Sequence, residues 1–193
     1  MLLGIGMTEY EKMLRGMVFD GADAEISAVR DETLGLLKQI NELGTFRDAR
    51  SKFERLFGRI GSGSVVTPPF RCEFGKHIEV GVNTFINFGA IVLDGATVTI
   101  GNNVLIGPNT QLYTSTHSTD YLSRRHWQTF CKPIVLEDGV WIGGNVVINQ
   151  GVTIGARSIV ATSSVVNHDV PPDCLVGGVP GKVIKRLDKA NVG

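Results

Sequence analysis

The most regular feature of the chain is the spacing of its aliphatic residues, which recur every six positions in two runs. The first run contains one eight-residue step, from Val92 to Ile100, and the second has none. A helix repeats every 3.6 residues or so and a strand about every two, so neither sustains this period. The runs are Val80, Ile86, Val92, Ile100, Ile106 and Leu112, then Leu136, Ile142, Ile148, Ile154, Val160 and Val166.

A repeat of six predicts a mainly β protein built as a parallel β-helix, in which three hexads form one coil and each coil covers the next. The fifth position of each hexad is small or β-branched, and the second is often Gly or Asn. We expect the second position to take the left-handed backbone conformation of a sharp corner. Weaker hexads beginning at Ile60, Val66 and Phe74 extend the repeat to about five coils.

The segment before the repeat has the spacing of helices. Between residues 8 and 57, apolar residues recur at three- and four-residue intervals, with a turn expected around Gly44. The pair Pro68-Pro69 excludes a helix just beyond this segment. We therefore expect an N-terminal helical segment at residues 1–58, the β-helix at 59–187 and a C-terminal tail at 188–193.

A break of 23 residues separates the two aliphatic runs. Counting hexads around three faces places this break and the eight-residue step after Val92 at the same corner, one coil apart. Residues 113–135 are polar and irregular, and are expected to leave the prism as an extended loop. Functional groups are often carried on loops of this kind.

Composition narrows the functional classes. A net charge of zero with 20% charged residues argues against a general nucleic-acid or membrane-surface binder. The apolar residues 1–6 are too few for a signal peptide or a spanning helix. Cys72, Cys131 and Cys174 are widely spaced, and indicate neither a disulfide framework nor a zinc site. We expect a cytoplasmic protein.

Several motifs occur together in one order along nearly the whole chain. With the repeat, they resemble the hexapeptide-repeat acyltransferases, and above all the maltose and galactoside O-acetyltransferase branch, which includes nodulation-type sugar acetyltransferases. That resemblance implies a left-handed β-helix. The motifs are Glu9-Tyr-Glu-Lys-Met-Leu-Arg-Gly, Pro69-Phe-Arg-Cys-Glu-Phe-Gly, Leu112-Tyr-Thr-Ser-Thr-His, Val140-Trp-Ile-Gly-Gly, Val147-Ile-Asn-Gln-Gly-Val-Thr-Ile-Gly and Gly177-Gly-Val-Pro-Gly-Lys-Val-Ile-Lys.

The resemblance implies direct acetyl transfer from acetyl-CoA to a sugar hydroxyl in a ternary complex. His117 occupies the position of the general base, which takes the proton of the attacking hydroxyl. The side chain of Asn87 occupies the position that stabilises the oxyanion formed at the thioester carbonyl. For both residues a purely structural role is the alternative: a surface histidine, and a corner asparagine.

The resemblance also implies two binding regions. Carboxylates suit sugar hydroxyls, and the expected acceptor pocket consists of Asp20, Glu73, Asn87 and Asp94. Galactoside-type relatives carry an acidic residue where this chain has Gly95, and Glu73 matches the maltose type. The expected coenzyme A contacts are Trp141, Gly144, Thr162, Asn167, His168, Lys182 and Lys185, with Asn167-His168 replacing a frequent Thr-Lys.

Alternatives remain open at this point. In the first alternative, the protein is an acyltransferase whose acceptor is an antibiotic or an amino sugar. In the second, it is a trimeric scaffold without catalytic activity. A two-histidine metal site of His117 and His126 lacks a third ligand, so no metal is expected. Family resemblance implies a homotrimer with its sites between adjacent prisms, and neither nucleic-acid nor membrane partners are expected.

Overall fold

The computed structural model describes residues 6–125 and 127–188. Four helices precede or interrupt a three-faced parallel β-helix: α1 (Glu9–Leu14), α2 (Ala24–Leu43), α3 (Phe46–Leu56) and α4 (Tyr121–Arg124). No helix in these described ranges is long and apolar enough to cross a membrane. The cysteines at 72, 131 and 174 are buried and free.

Each face of the β-helix is a sheet of short parallel strands, with one strand from each coil. Face A contains Arg59–Ile60, Ile78–Val80, Val98–Ile100, Ile134–Leu136 and Thr153–Ile154. Face B contains Val65–Val66, Phe85–Ile86, Leu105–Ile106, Trp141–Ile142, Ile159–Val160 and Cys174–Gly177, with Lys182–Arg186 added antiparallel. Face C contains Arg71–Cys72, Ile91–Leu93, Gln111–Tyr113, Val147–Ile148 and Val165–Val166.

The predicted inward aliphatic residues fill the prism. All twelve are buried, with side chains at most 2% exposed, and residues twenty apart stack, as Ile86 does on Ile106. The faces form five complete coils, and a sixth begins with the bridge from Val170 to Ile154 and the strand Cys174–Gly177. The parallel β-helix predicted from the repeat is confirmed.

One hexad assignment is wrong. Cys72, not Phe74, is the inward residue of the first coil, because it pairs with Val92 on face C. The first coil therefore also takes an eight-residue step, from Cys72 to Val80, at the same corner as the step after Val92. Phe74 points instead into a second, smaller core.

That second core forms because three successive coils insert residues at one corner. Each insertion contributes one apolar residue to this core, namely Phe74, Ala96 and Cys131. They pack against Met13, Phe19 and Ile26 of the N-terminal segment. The insertions thus attach α1 and α2 to the side of the prism.

The corner prediction needs correction as well. The left-handed residues occupy the fourth position of the hexad, as at Asn83, Asn103, Asn109 and Asn145, where φ lies between 52° and 56°. Glycine at the second position has another cause: a Cβ on Gly81 would lie 2.5 Å from the carbonyl oxygen of Gly101. Close stacking of coil on coil, rather than backbone conformation, excludes a side chain there.

Helices α2 and α3 cover the open first coil. α2 ends at Leu43 and is capped by Gly44, which has φ 71°. α3 begins after the N-cap Thr45, whose side chain accepts from the Asp48 N–H. Phe53 and Phe57 of this region pack on Phe70, with ring centroids 5.8 and 5.4 Å apart respectively. This aromatic cluster closes the apolar interior that the first coil would otherwise expose to water.

Candidate active site

Two edges of the prism flank face C, and they carry different chemistry. We call the turns from face B to face C the regular edge; they include residues 87–90, 107–110, 143–146 and 161–164. We call the turns from face C to face A the loop edge; they include residues 73–77, 94–97, 114–133 and 167–169. The predicted site residues fall on both.

His117 lies on the largest excursion of the loop edge. The strand Ser115–His117 pairs antiparallel with Gln128–Cys131, which in turn pairs with Phe19–Asp20. The Nδ1 of His117 is 3.0 Å from the carbonyl oxygen of Gln128. Because a carbonyl only accepts, Nδ1 carries the hydrogen, and Nε2 is the ring nitrogen left to accept a proton. The imidazole therefore has the tautomer that a general base requires.

His117 borders a cleft of about 550 Å³. Its polar wall includes Glu73, whose carboxylate is 3.1 Å from the guanidinium of Arg30. Burial raises the pKa of Glu73, and the charge of Arg30 opposes that rise. The cleft is lined by Gly21, Ala22, Arg30, Glu73, Leu93, Ser115, His117, Trp127 and Thr129.

Asp94 and Asp20 do not line this cleft. Asp94 is fully buried, and its Oδ1 accepts from the backbone N–H groups of Glu73 and Phe74, each at 3.0 Å. It therefore positions the segment that carries Glu73. Asp20 is exposed, accepts from the Ala22 N–H at 2.9 Å, and borders an adjacent cleft of about 280 Å³.

Gly95 has no room for a side chain. A Cβ there would lie 2.5 Å from the sulfur of Cys131 and 3.1 Å from the hydroxyl of Ser115. An acidic side chain at this position would therefore have no space in this chain. The carboxylate of Glu73 is the acidic group that the His117 cleft retains.

Trp127 is a cleft residue that the sequence did not single out. Its side chain is 72% exposed and its φ is 56°, a left-handed conformation that is strained for a bulky residue and costs about 1–3 kcal/mol. Its N–H donates to the carbonyl of Arg124, the last residue of α4, at 3.1 Å. Glycine is the residue that adopts this conformation without strain. An indole on the loop that also carries His117 was the signal that sequence reading could have used.

Asn87 lies on the regular edge. Its Oδ1 accepts from the Phe88 N–H at 2.8 Å, which orients the amide and leaves the Nδ2 hydrogens as donors. Two coils further along the same edge, a Cβ on Gly143 would lie 2.6 Å from the Thr162 nitrogen. The turns of this edge are therefore tightly stacked and rigid.

Part of the predicted coenzyme A set shares a second cleft, of about 430 Å³. Trp141, which is 51% exposed, Thr162 and Lys185 line it. Gly144 lies in the neighbouring turn of the regular edge, and Lys182 begins the antiparallel strand Lys182–Arg186 above it. This side combines an exposed indole, exposed backbone and two cations.

The structure does not bring all predicted residues together within one chain. Face C separates His117 from Asn87, since they lie on the loop edge and the regular edge respectively. Asn167 and His168, joined by a 2.7 Å hydrogen bond, also lie on the loop edge, away from the Trp141 cleft. His126 is outside the described residues; within residues 6–125 and 127–188, no group of three His, Cys, Asp or Glu could hold a metal ion.

Comparison with known proteins gives two family matches. Residues 133–168 match the bacterial transferase hexapeptide (six repeats), and residues 12–61 match the maltose acetyltransferase hexapeptide capping motif. Galactoside O-acetyltransferase of Escherichia coli (strain K12) is 38% identical over 138 residues, which are 72% of this chain and 68% of that protein.

Two solved structures are similar over nearly the whole chain. A hexapeptide-repeat acetyltransferase of Vibrio cholerae, complexed with acetyl coenzyme A, is 57% identical with a TM-score of 0.88, covering 95% of this chain and 100% of that one. A maltose O-acetyltransferase of Clostridium difficile 630 is 35% identical with a TM-score of 0.92, covering 95% and 99%.

These matches assign the combination of coils, capping helices and a histidine-bearing loop to a known family. The chain belongs to the hexapeptide-repeat acyltransferases, in the branch with the maltose acetyltransferase capping motif. It is an acetyltransferase.

Proposed function

We propose that this acetyltransferase transfers the acetyl group of acetyl-CoA directly to a hydroxyl of a sugar. The observation that carries the proposal is the His117 imidazole, whose Nδ1 donates to Gln128 so that Nε2 is the accepting nitrogen, at the border of a cleft containing Glu73 and Arg30. Similarity to a maltose O-acetyltransferase and a galactoside O-acetyltransferase supports a sugar acceptor. The acetyl coenzyme A complex of the Vibrio cholerae protein supports the donor.

His117 acts as the general base in this proposal. Its Nε2 takes the proton of the acceptor hydroxyl as that oxygen attacks the thioester carbonyl. The hydrogen bond from Nδ1 to the carbonyl of Gln128 holds the ring and partly offsets the positive charge that develops on it. When the tetrahedral intermediate collapses, the C–S bond breaks and the proton passes to the leaving thiolate.

Asn87 stabilises the oxyanion of that intermediate. Its Nδ2 hydrogens donate, while the bond from the Phe88 N–H to Oδ1 holds the amide in place. Trp141, Gly144, Thr162, Lys182 and Lys185 bind coenzyme A along the regular edge, the two lysines meeting its phosphates. The pantetheine arm is extended and carries amides, so the exposed backbone of stacked turns suits it.

Acceptor hydroxyls bind on the loop edge, in this proposal. Glu73 accepts hydrogen bonds from the sugar, and Asp94 contributes by holding the backbone of Glu73. Asp20 borders the neighbouring cleft and extends the acidic surface. Asn167 and His168 lie above the His117 loop on this same edge, where they meet coenzyme A bound to another subunit.

The assembly that unites the two edges is a homotrimer. His117 and Asn87 lie at opposite ends of face C, so one chain alone does not assemble the reaction centre. Rotation about a threefold axis places the loop edge of one subunit against the regular edge of the next. Each of the three sites then takes its base from one chain and its oxyanion donor from another.

An acceptor panel tests the reaction. Purified protein is mixed with acetyl-CoA and with maltose, glucose, methyl β-galactoside, glucosamine or chloramphenicol, and thiol release is followed with wild type and His117→Ala. We expect His117-dependent release with a neutral sugar. Release with glucosamine or chloramphenicol alone would assign another acceptor class, and no His117-dependent release with any of them would contradict the proposal.

Mixed oligomers test the shared site. His117→Ala and Asn87→Asp chains are inactive separately, but after refolding together at equal amounts, about one quarter of the sites combine an intact His117 with an intact Asn87 from neighbouring chains. Activity should return to about that fraction of wild type. If mixing restores none while mixed trimers form, each site lies within one chain and the proposed assembly is wrong.

A further inference from the structure

We propose that Trp127 is the aromatic surface on which the ring of the acceptor packs, so that the acceptor is a cyclic sugar presenting an apolar C–H face to the loop edge. This inference rests on the proposed sugar acetylation and adds to it the residue that selects the acceptor. Nothing in the acetyl transfer itself requires an indole at this place.

The first support is exposure. Trp127 leaves 72% of its surface in water, whereas Phe53, Phe57, Phe70 and Phe74 are at most 1% exposed. An exposed indole forgoes the stabilisation that burial supplies. It lines the same cleft as His117, so the indole and the base border the space that an acceptor enters.

The second support is the backbone. Trp127 follows α4 in the left-handed conformation, where glycine is favoured. Its N–H donates to the carbonyl of Arg124 at 3.1 Å, and its carbonyl accepts from the hydroxyl of Thr129 at 2.9 Å. The chain thus holds a bulky residue at a position that a glycine would occupy without strain, and strain of this kind is concentrated at ligand sites.

The third support is what the cleft offers beside the indole. Glu73 and Arg30 form an ion pair there, and Ser115 and Thr129 supply hydroxyls. A pyranose has hydroxyls around its rim and C–H groups on its faces, and those hydrogens meet the electron-rich face of an indole favourably. One aromatic surface with a few polar groups is the usual composition of a small-ligand pocket.

Glycine and phenylalanine substitutions separate this role from a structural one. Trp127→Gly relieves the strain and removes the aromatic surface, so Tm should stay unchanged or rise while KM for maltose and methyl β-galactoside rises about tenfold or more. KM for acetyl-CoA should not change. Trp127→Phe keeps an aromatic ring and should raise acceptor KM by less than about threefold. Leu122→Ala, an exposed change on α4, is the matched control and should resemble wild type.

A linear polyol sharpens the comparison. Sorbitol has hydroxyls but no ring face, so any transfer to sorbitol should be equally slow in wild type and Trp127→Gly. An unchanged acceptor KM in Trp127→Gly, with transfer to the ring sugars intact, would overturn this proposal and leave the proposed function standing. Dissociation of the oligomer in Trp127→Gly, seen by sedimentation, would assign Trp127 to the subunit interface and also overturn it.

Fluorescence gives a readout that does not depend on turnover. The sequence has two tryptophans, so Trp141→Phe leaves Trp127 as the sole indole. Titration with maltose should shift its emission, whereas titration with sorbitol should not. If the acceptor panel fails but maltose shifts the emission, the acetylation proposal falls while sugar binding at Trp127 stands; if maltose produces no shift, the role of Trp127 is rejected.

Discussion

The regular edge and the loop edge bound the same face of the prism, yet they are built from different kinds of sequence. At the regular edge each turn repeats the one before, and Gly143 touches the next coil so closely that no side chain fits. At the loop edge three successive coils insert residues, which form a second core and carry His117 outward. The repeat supplies a rigid surface, whereas the interruptions supply titratable groups and a cleft.

This contrast suggests a division of labour. An extended cosubstrate can be held by stacked backbone and a few side chains, and tight repetition keeps that surface constant. An acceptor needs specific polar groups, and insertions provide them without disturbing the inward aliphatic residues. Substitutions on each edge test this division, starting with the largest expected effect.

His117→Ala should lower kcat by about 10²–10⁴-fold, since a positioned general base contributes that much. KM for acetyl-CoA should remain near the wild-type value, because the change lies on the loop edge. Steady-state kinetics measures both, with Thr119→Ala as an exposed control on the same loop. A fall below tenfold would show that another group takes the proton.

Asn87→Asp should lower kcat by about 10²–10³-fold, the range for loss of one oxyanion donor. The substitution keeps the oxygen that accepts from the Phe88 N–H, so Tm should hardly change. It removes the two hydrogens of Nδ2 and adds a negative charge beside the developing oxyanion. Activity close to wild type would remove Asn87 from the reaction centre.

Gly81→Ala should destabilise the β-helix by about 3 kcal/mol, at the upper end of overpacking effects, because the new Cβ meets the Gly101 carbonyl at 2.5 Å. Gly35→Ala in α2 is the matched control: nothing lies within 4 Å of its Cβ, and the change should stabilise by up to about 1 kcal/mol. Thermal unfolding measures the two shifts. Equal shifts would contradict the role assigned to close coil stacking.

Asp94→Asn should change how the stability of the fold depends on pH more than it changes the stability at any one pH. Burial raises the pKa of Asp94 in the folded protein above its ordinary 3.8. At a pH between the ordinary and the raised pKa, the folded state therefore binds more protons than the unfolded state. Stability from this group therefore falls as pH rises through that window, and Asp94→Asn should remove this decline, a change of only a few degrees in Tm.

Asp138 is the control of opposite sign. Hydrogen bonds from Asn102 lower its pKa, so its stabilisation is present above the ordinary value and disappears as pH falls. Asp138→Asn should therefore remove a decline toward low pH, and Tm measured from pH 3 to 8 distinguishes the two variants. If the Tm of Asp94→Asn fell more steeply with rising pH than that of wild type, the raised pKa assigned to Asp94 would be wrong.

Sequence reading succeeded where one local rule repeats. The aliphatic position recurs every six residues, so spacing alone assigns Ile86, Ile106 and Ile142 to one face. It failed at the second hexad position, where glycine was attributed to backbone conformation. The need at Gly81 comes from a coil twenty residues away, and no local pattern reveals that contact.

The candidate site shows the same limit. His117 was predicted from its motif, but the Arg30–Glu73 pair joins residues 43 positions apart in a helix and an inserted turn. Asp94 was expected in the acceptor pocket, and the fold instead buries it beneath Glu73. Phe74 appeared to be a hexad residue because it is apolar and six positions before Val80. In the structure it is buried in the second core, because α1 and α2 pack there.

By itself, the sequence determined the coil architecture, the corner from which the loop departs and the histidine carried on that loop. These depend on periodicity, which each hexad expresses locally through the alternation of buried aliphatic and turn residues. Only the tertiary structure decided that His117 and Asn87 stand at opposite ends of one face, that Gly95 has no room for a carboxylate, and that a strained Trp127 borders the cleft. Those facts depend on contacts between segments distant in the chain, and spacing along the sequence does not encode them.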